Sequence, residues 1–154
     1  METYRTPLTH DEIKELQDNL RSLIASQGSY VMHHFADIDW GTKNLMQYSK
    51  LGQVVKFYQG DKFCGIVCFD VGRSWWTTVL MLSEVIVLST ANTHGLQRYA
   101  LRELEKIAKE TGAQLIVGGC IFMEHPQMIT NGYKKCGFHL TYPTYAKVID
   151  NDNK

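Results

Sequence analysis

The chain has 154 residues, 44% of them hydrophobic and 21% charged, a balance that lets a single domain over 1–154 bury a core and leaves only a polar tail at 150–154. Lysine plus arginine equals aspartate plus glutamate at 16 each, which argues against a general nucleic-acid or membrane-surface binder with its basic excess. Met1–Arg5 has no apolar signal core, and no run of about 18 apolar residues occurs, so a cytoplasmic protein with no membrane span is expected.

The first helix is expected from about Thr9 to Gln27. Thr9 is a good N-cap, and Glu12 completes a capping box. Ile13, Leu16, Leu20, Leu23 and Ile24 recur at helical spacing, and Gly28 ends the run. A short second helix is expected over Thr42 to Leu51. The segment between them, Ser29 to Gly41, is aromatic-rich and reads as irregular.

A β-meander follows. Val54–Tyr58 is one strand, Gln59-Gly60-Asp61-Lys62 a turn, and Phe63–Val71 a second strand. A long third strand is expected over about Trp75 to Leu88, with a bulge where the apolar pattern changes phase at Ser83-Glu84. A helix from about Gly95 to Thr111 is expected to bury Leu96, Tyr99, Ala100, Leu104, Ile107 and Ala108, and Gly112 ends it. Leu115-Ile116-Val117 reads as a buried strand parallel to the one before the helix. His125-Pro126 opens a last helix that ends at Gly137, and Phe138–Tyr142 with Tyr145–Ile149 reads as a closing hairpin. Hairpins followed by one βαβ crossover make an α+β (mixed α/β) fold with a mixed sheet and four helices.

The four cysteines, Cys64, Cys68, Cys120 and Cys136, include no C-x-x-C pair and read as reduced packing thiols. Cys64 and Cys68 are expected on one strand face with Ile66. No metal-ligand spacing joins them to the histidines.

The informative stretch is 85–138. A strand, Val85-Ile86-Val87-Leu88-Ser89, feeds a helix through Asn92-Thr93-His94-Gly95-Leu96-Gln97. Such a turn offers free backbone N–H groups and the positive end of a helix dipole, which suit phosphate. Gly95 also fits a plain helix-start glycine. Gly118-Gly119, after the second parallel strand, suits a close backbone approach or simply ends the strand.

With Tyr133-Lys134-Lys135-Cys136-Gly137-Phe138, this order resembles the second half of the GNAT superfamily, the acyl-CoA-dependent N-acyltransferases. In that family a Val-x-Pro strand leads into (Arg or Gln)-x-x-Gly-x-(Gly or Ala). Here Val87-Leu88-Ser89 takes the first place and Gly95 matches, but Asn92 stands where Arg or Gln is usual and Gln97 where Gly or Ala is usual. Tyr-x-x-x-Gly-Phe is intact. A first strand ahead of the N-terminal helix is not evident.

The resemblance implies an N-acyltransferase moving acetyl from acetyl-CoA, as co-substrate, directly to an amine acceptor. It places the carrier on Val87, Ser89, Asn92, Thr93, His94, Gly95, Leu96, Gln97 and Arg98, with Arg102 in reach. It implies a gap between the two parallel strands for the pantetheine arm. Tyr133 matches the family's frequent general acid, or else packs on the sheet. Glu84, the one acidic residue in Val79–Leu88, is the best base if it faces a cleft, and otherwise a solvated carboxylate on an exposed strand face. His125 is the alternative base. His33, His34, Asp37 and Asp39 fall where the family builds its acceptor pocket; a solvated loop is the plainer reading. Trp40, Trp75 and Trp76 line a groove or, for adjacent strand tryptophans, divide between core and surface. A protein partner or a homodimer is the remaining expectation. The rival reading is a catalytically silent GNAT-fold protein: an interaction module, an inhibitor or a virion component. The compact size and divergent turn are similar to GNAT-like proteins of bacteriophages, which would put the chain in host cytoplasm or virion.

Overall fold

The computed structural model describes residues 1–28, 32–33, 36–90, 93, 95–119 and 127–140. Their order is β1 (Glu2–Tyr4), α1 (His10–Gln27), α2 (Ile38–Lys50), β2 (Val54–Gln59), β3 (Lys62–Gly72), β4 (Met81–Ser89), α3 (Leu96–Thr111), β5 (Leu115–Val117) and α4 (Gln127–Lys135). The five strands form one sheet in sequence order. β1 to β4 pair antiparallel, and β5 joins β4 in parallel after the α3 crossover. This is the expected α+β architecture, with an N-terminal strand, β1, that the sequence did not suggest. Glu2–Tyr4 is too short and polar to read as a strand, yet it pairs with Lys56–Tyr58 at the sheet edge.

α1 and α2 cover one face of the sheet, over Val54, Ile66, Cys68 and Leu88. α3 covers the other, where Leu101 and Leu104 are fully buried against Phe57, Val67 and Leu82. The α1 capping box forms: the Thr9 hydroxyl accepts from Glu12 N–H at 3.3 Å and Glu12 Oε2 accepts from Thr9 N–H at 2.6 Å. The same carboxylate pairs with Lys56 Nζ at 2.9 Å, both side chains 6% exposed, and accepts from the Tyr58 hydroxyl. Burial raises the Glu12 pKa, but the Thr9, Tyr58 and Lys56 contacts outweigh it and leave the pKa lowered. Burial and then Glu12 push the Tyr58 phenol up to about 12.

Two strand irregularities decide which way side chains face. Phe57 pairs with Gly65 and Tyr58 with Phe63, which leaves Cys64 as the extra residue. Cys64 therefore joins the α3 side while Ile66 and Cys68 join the α1–α2 side, correcting the expectation of one shared face. Burial, then Asp70, pushes the Cys68 thiol up to about 12, so it is an inert packing group. The second irregularity is the one the pattern foretold. Cys68 pairs with Ile86 and Phe69 with Glu84, so Val85 is extra.

Other boundaries move. α2 begins four residues earlier than its apolar pattern, because the Asp37 carboxylate accepts from Trp40 N–H at 2.8 Å and caps it. β4 begins at Met81, and 73–80 is a connection rather than strand. Trp75 and Trp76 lie there, 96% and 50% exposed, so neither enters the core as adjacent strand residues would. Trp40 is also exposed, at 64%, and Tyr99, expected on the buried face of α3, is 42% exposed at the margin of the stripe that Leu96, Ala100 and Leu104 bury. Of the closing hairpin, 138–140 is not strand, and 141–149 lies outside the described residues. No helix among the described residues is long and apolar enough to cross a membrane.

Candidate active site

β4 and β5 pair only from Met81–Leu115 to Ser83–Val117. Beyond Ser83, β4 runs on for six residues paired with β3 alone among the described strands. The two strands part at Glu84, the residue beside the bulge. Thr90 N–H donates to Cys64 O at 2.9 Å; antiparallel alternation then turns the backbone groups of Val87 and Ser89 away from β3, toward the edge that β5 has left. The Ser89 carbonyl accepts from the Asn19 side chain of α1. Asn19 was missed in the sequence, although it sits between Leu16 and Leu20 on the apolar stripe of α1, where a polar residue needs a reason.

The bulge sets the direction of Glu84. Register puts it on the face of Phe69, the α3 side, while Ile86 two residues on faces α1 and α2. On the α3 side it meets Tyr133 of α4, whose hydroxyl donates to Glu84 Oε1 at 2.5 Å and lies 3.3 Å from Gly119 O. Glu84 Oε2 is buried with no hydrogen-bond partner among the described residues. Burial, partly offset by the Tyr133 bond, pushes the Glu84 carboxyl up to about 7. The two residues singled out as base and acid thus form one contact.

Local structure fixes Tyr133. The chain turns at Gly137 (φ 83°), and Phe138 N–H donates to Tyr133 O at 3.1 Å. The Phe138 ring then lies edge-on to the Tyr133 ring at 5.3 Å. That is what Tyr-x-x-x-Gly-Phe accomplishes here. On the other side of the ring, a Cβ on Gly118 would meet Tyr133 Cε1 at 2.9 Å and Oη at 3.0 Å. The close approach read into Gly118-Gly119 is therefore made by Tyr133.

The turn into α3 is described at Thr93 and from Gly95 onward; Asn92 and His94 lie outside the described residues, as does His125. Gly95 is the N-cap, left-handed at φ 76°, and offers no side-chain cap; the first turn of α3 holds no acidic residue. α1 and α2 have both. Among the described residues, then, no side chain caps the start of α3 and no acidic one stands in its first turn, which suits an anion. Leu96 points into the core, and Arg98 is exposed. Gln97 does not stand over the turn. It reaches α4, where a Cβ on Gly132 would fall 2.3 Å from its Oε1. Gly132 was not singled out in the sequence.

The described acceptor-side residues share no contact with one another. Asp37 is spent on the α2 cap, Asp39 lies 3.8 Å from Arg21, His33 is exposed, and His34 is outside the described residues. The irregular loop expected to hold them is helical from Ile38.

No protein-family model and no curated protein matches the chain. Solved structures do. It is 18% identical to a GNAT-family acetyltransferase from Listeria monocytogenes, TM-score 0.69, over 93% of this chain and 88% of that one. A GCN5-related N-acetyltransferase from Ralstonia eutropha is 13% identical, TM-score 0.67, covering 96% and 97%. A ribosomal-protein-alanine N-acetyltransferase from Brucella melitensis is 12% identical, TM-score 0.66, covering 97% and 100%. With its meander, bulged fourth strand, crossover helix and parting parallel strands, the chain has the fold of the GNAT N-acetyltransferases.

Proposed function

We propose that the protein is an N-acyltransferase that moves an acetyl group from acetyl-CoA directly to an amine. The observation that carries this reading is the Glu84–Tyr133 contact at the point where β4 and β5 part. A carboxyl with a pKa of about 7 is poised to take up and release a proton near neutrality.

The residues present fit the co-substrate. The start of α3, which no described side chain caps, offers the positive end of its dipole, the amides about Gly95 and Leu96, and the exposed Arg98 guanidinium to a pyrophosphate. The Val87 backbone, facing the open edge, offers a ladder partner to the pantetheine amides. Gln97 leaves the turn clear by lying against Gly132. When bound, acetyl-CoA supplies the activated thioester. Glu84 Oε2, buried and without a partner among the described residues, takes the proton that the amine loses. Tyr133 Oη gives a proton to the leaving sulfur and recovers one from the carboxyl it touches. One proton enters the pair and one leaves, so both groups return to their starting state.

Thermal melting with and without acetyl-CoA tests the first requirement. At a hundredfold excess over Kd the expected gain is about 2.7 kcal/mol. Release of free CoA thiol in the presence of an amine tests the second. No melting shift would leave the catalytically silent reading, and a shift without thiol release from any amine would do the same.

A further inference from the structure

At the end of the sheet away from the start of α3, the turn from β3 to β4 borders an open pocket of about 250 Å³. A space of about 150 Å³ is enough to hold benzene, so a small solute fits. The lining is Asp70, Gly72, Arg73, Ser74, Met81 and Ser83. Asp70 pairs with Ser83, and Gly72 with Met81, across the two strands. Leu82, between Met81 and Ser83, packs on the α3 side, so its neighbours face the other way. Glu84 shares the α3 side with Leu82. The sheet itself therefore stands between this pocket and the Glu84–Tyr133 contact.

The two charged groups of the pocket are braced, but not by each other. Asp70 Oδ1 accepts from Gln53 Nε2 at 3.0 Å and from Val71 N–H at 2.9 Å, and no described donor reaches Oδ2. Arg73 Nε donates to Thr78 O at 2.9 Å, and neither Nη has an acceptor among the described residues. No ion pair among the described residues includes either side chain. The Ser74 and Ser83 hydroxyls also lack a hydrogen-bond partner among the described residues. Asp70 and Arg73 are both exposed, so each charge is tolerated in water without a partner.

This arrangement selects a ligand by its charges. A lone anion on Arg73 would face Asp70, and a lone cation on Asp70 would face Arg73. A solute that carries both charges meets both groups favourably. The Arg73 fork, steadied at Nε, suits a carboxylate. Asp70 Oδ2 suits an ammonium. The two serine hydroxyls and Met81 leave room beside them for a short side chain.

We propose that this pocket binds a free α-amino acid with a small side chain, its carboxylate on the Arg73 guanidinium and its ammonium on the Asp70 carboxylate, at a site separate from Glu84 and Tyr133. The proposal stands whether or not the acyltransferase reading does, because it uses none of the residues on which that reading depends.

The test labels the methionine methyls of the whole chain with carbon-13 and follows the Met81 signal, assigned through Met81→Leu, during titration with L-serine. A saturable shift at Met81 is expected. N-acetyl-L-serine lacks the ammonium and ethanolamine lacks the carboxylate, so each should bind weaker by roughly tenfold or more, having lost one charge-assisted pair. Asp70→Asn and Arg73→Gln should weaken L-serine binding to the same extent and leave the melting temperature near that of wild type, since both positions are exposed. Should one variant not fold, the other and the two analogues decide. Excess CoA, which has no acetyl group to transfer, should leave the Met81 shift in place. No saturable shift at Met81, equal binding of the single-charge analogues, undiminished binding in both variants, or displacement by CoA would each overturn the proposal.

Discussion

Gln97 on α3 and Gly132 on α4 are a matched pair: the Gln97 amide occupies the space that a side chain at 132 would need, 2.3 Å from the Cβ position. The GNAT pattern keeps position 97 small. This chain has the larger residue there and a glycine opposite it, one position before Tyr133. The bulk of the Gln97 side chain lies at the α3–α4 contact. Gly132→Ala is therefore expected to push α4 outward and draw Tyr133 from Glu84. It should lower the melting temperature and, in turnover, kcat more than KM. Gln97→Ala combined with Gly132→Ala should recover most of both losses. A double-mutant cycle with a coupling of about 0.5–3 kcal/mol would support the match; additive effects would show that the two residues are independent.

Gly118 is expected to tolerate no side chain for a related reason. A Cβ there meets the Tyr133 ring at 2.9 Å and Glu84 Oε2 at 3.2 Å. Gly118→Ala should displace the phenol, cost about 1–3 kcal/mol as an overpacking change, and shift the Glu84 titration. Carboxyl-carbon NMR titration of both proteins checks this; an unaltered Glu84 titration would rule it out.

Glu84 should cost the protein stability at high pH. Its folded pKa of about 7 stands above its ordinary value of 4.5, so the folded state holds the proton more tightly. Stability contributed by the neutral form is fully present below about 4.5 and is lost as pH rises through about 7. Glu84→Gln should then melt higher than wild type at pH 8, by up to about 3 kcal/mol, and equal it near pH 4. Equal melting at both pH values would contradict the buried, proton-holding carboxyl.

The Glu12–Lys56 pair behaves in the opposite sense. The Glu12 pKa is lowered, so its contribution is present above the unfolded value and lost as pH falls through the folded one. Both side chains are buried, so removing one leaves a stranded charge. Lys56→Met should destabilise by about 3–5 kcal/mol. Glu12→Gln added to it should recover much of that loss, because glutamine keeps the capping box. Urea denaturation of wild type and the two variants checks the order. A double variant no better than Lys56→Met would mean that the loss lies in packing rather than in the stranded charge.

The elements with a strong period were legible in the sequence. α1 with its capping box, α3 between two glycines, the β2–β3 hairpin and the bulge near Glu84 all follow from spacing and turn residues. What the sequence hid depends on contacts made across the fold. β1 exists because the β2 edge offers partners, not because Glu2–Tyr4 favours strand. The first turn of α2 is set by one carboxylate, Asp37, with no apolar stripe to announce it. Cys64 changed faces because an extra residue in β3 reverses the alternation; its local mark is Gly65, the next residue in the strand, at φ 136°. At the candidate site, Glu84 was legible as a charge in an apolar run and Tyr133 through its motif. Their meeting was not, since it needs the bulge, the parting of β4 from β5 and the bare Cα of Gly118 together. Gly132 and Asn19 escaped because a helical glycine and a helical asparagine each have plainer explanations.

The most direct test of the account is the pH dependence of kcat/KM for acetyl transfer to an amine, in wild type and in Glu84→Gln. The account predicts that the wild-type profile rises through a midpoint near 7, the value of the buried carboxyl, and that this limb disappears in the variant along with most of the rate. An identical midpoint and rate in the two proteins would contradict it.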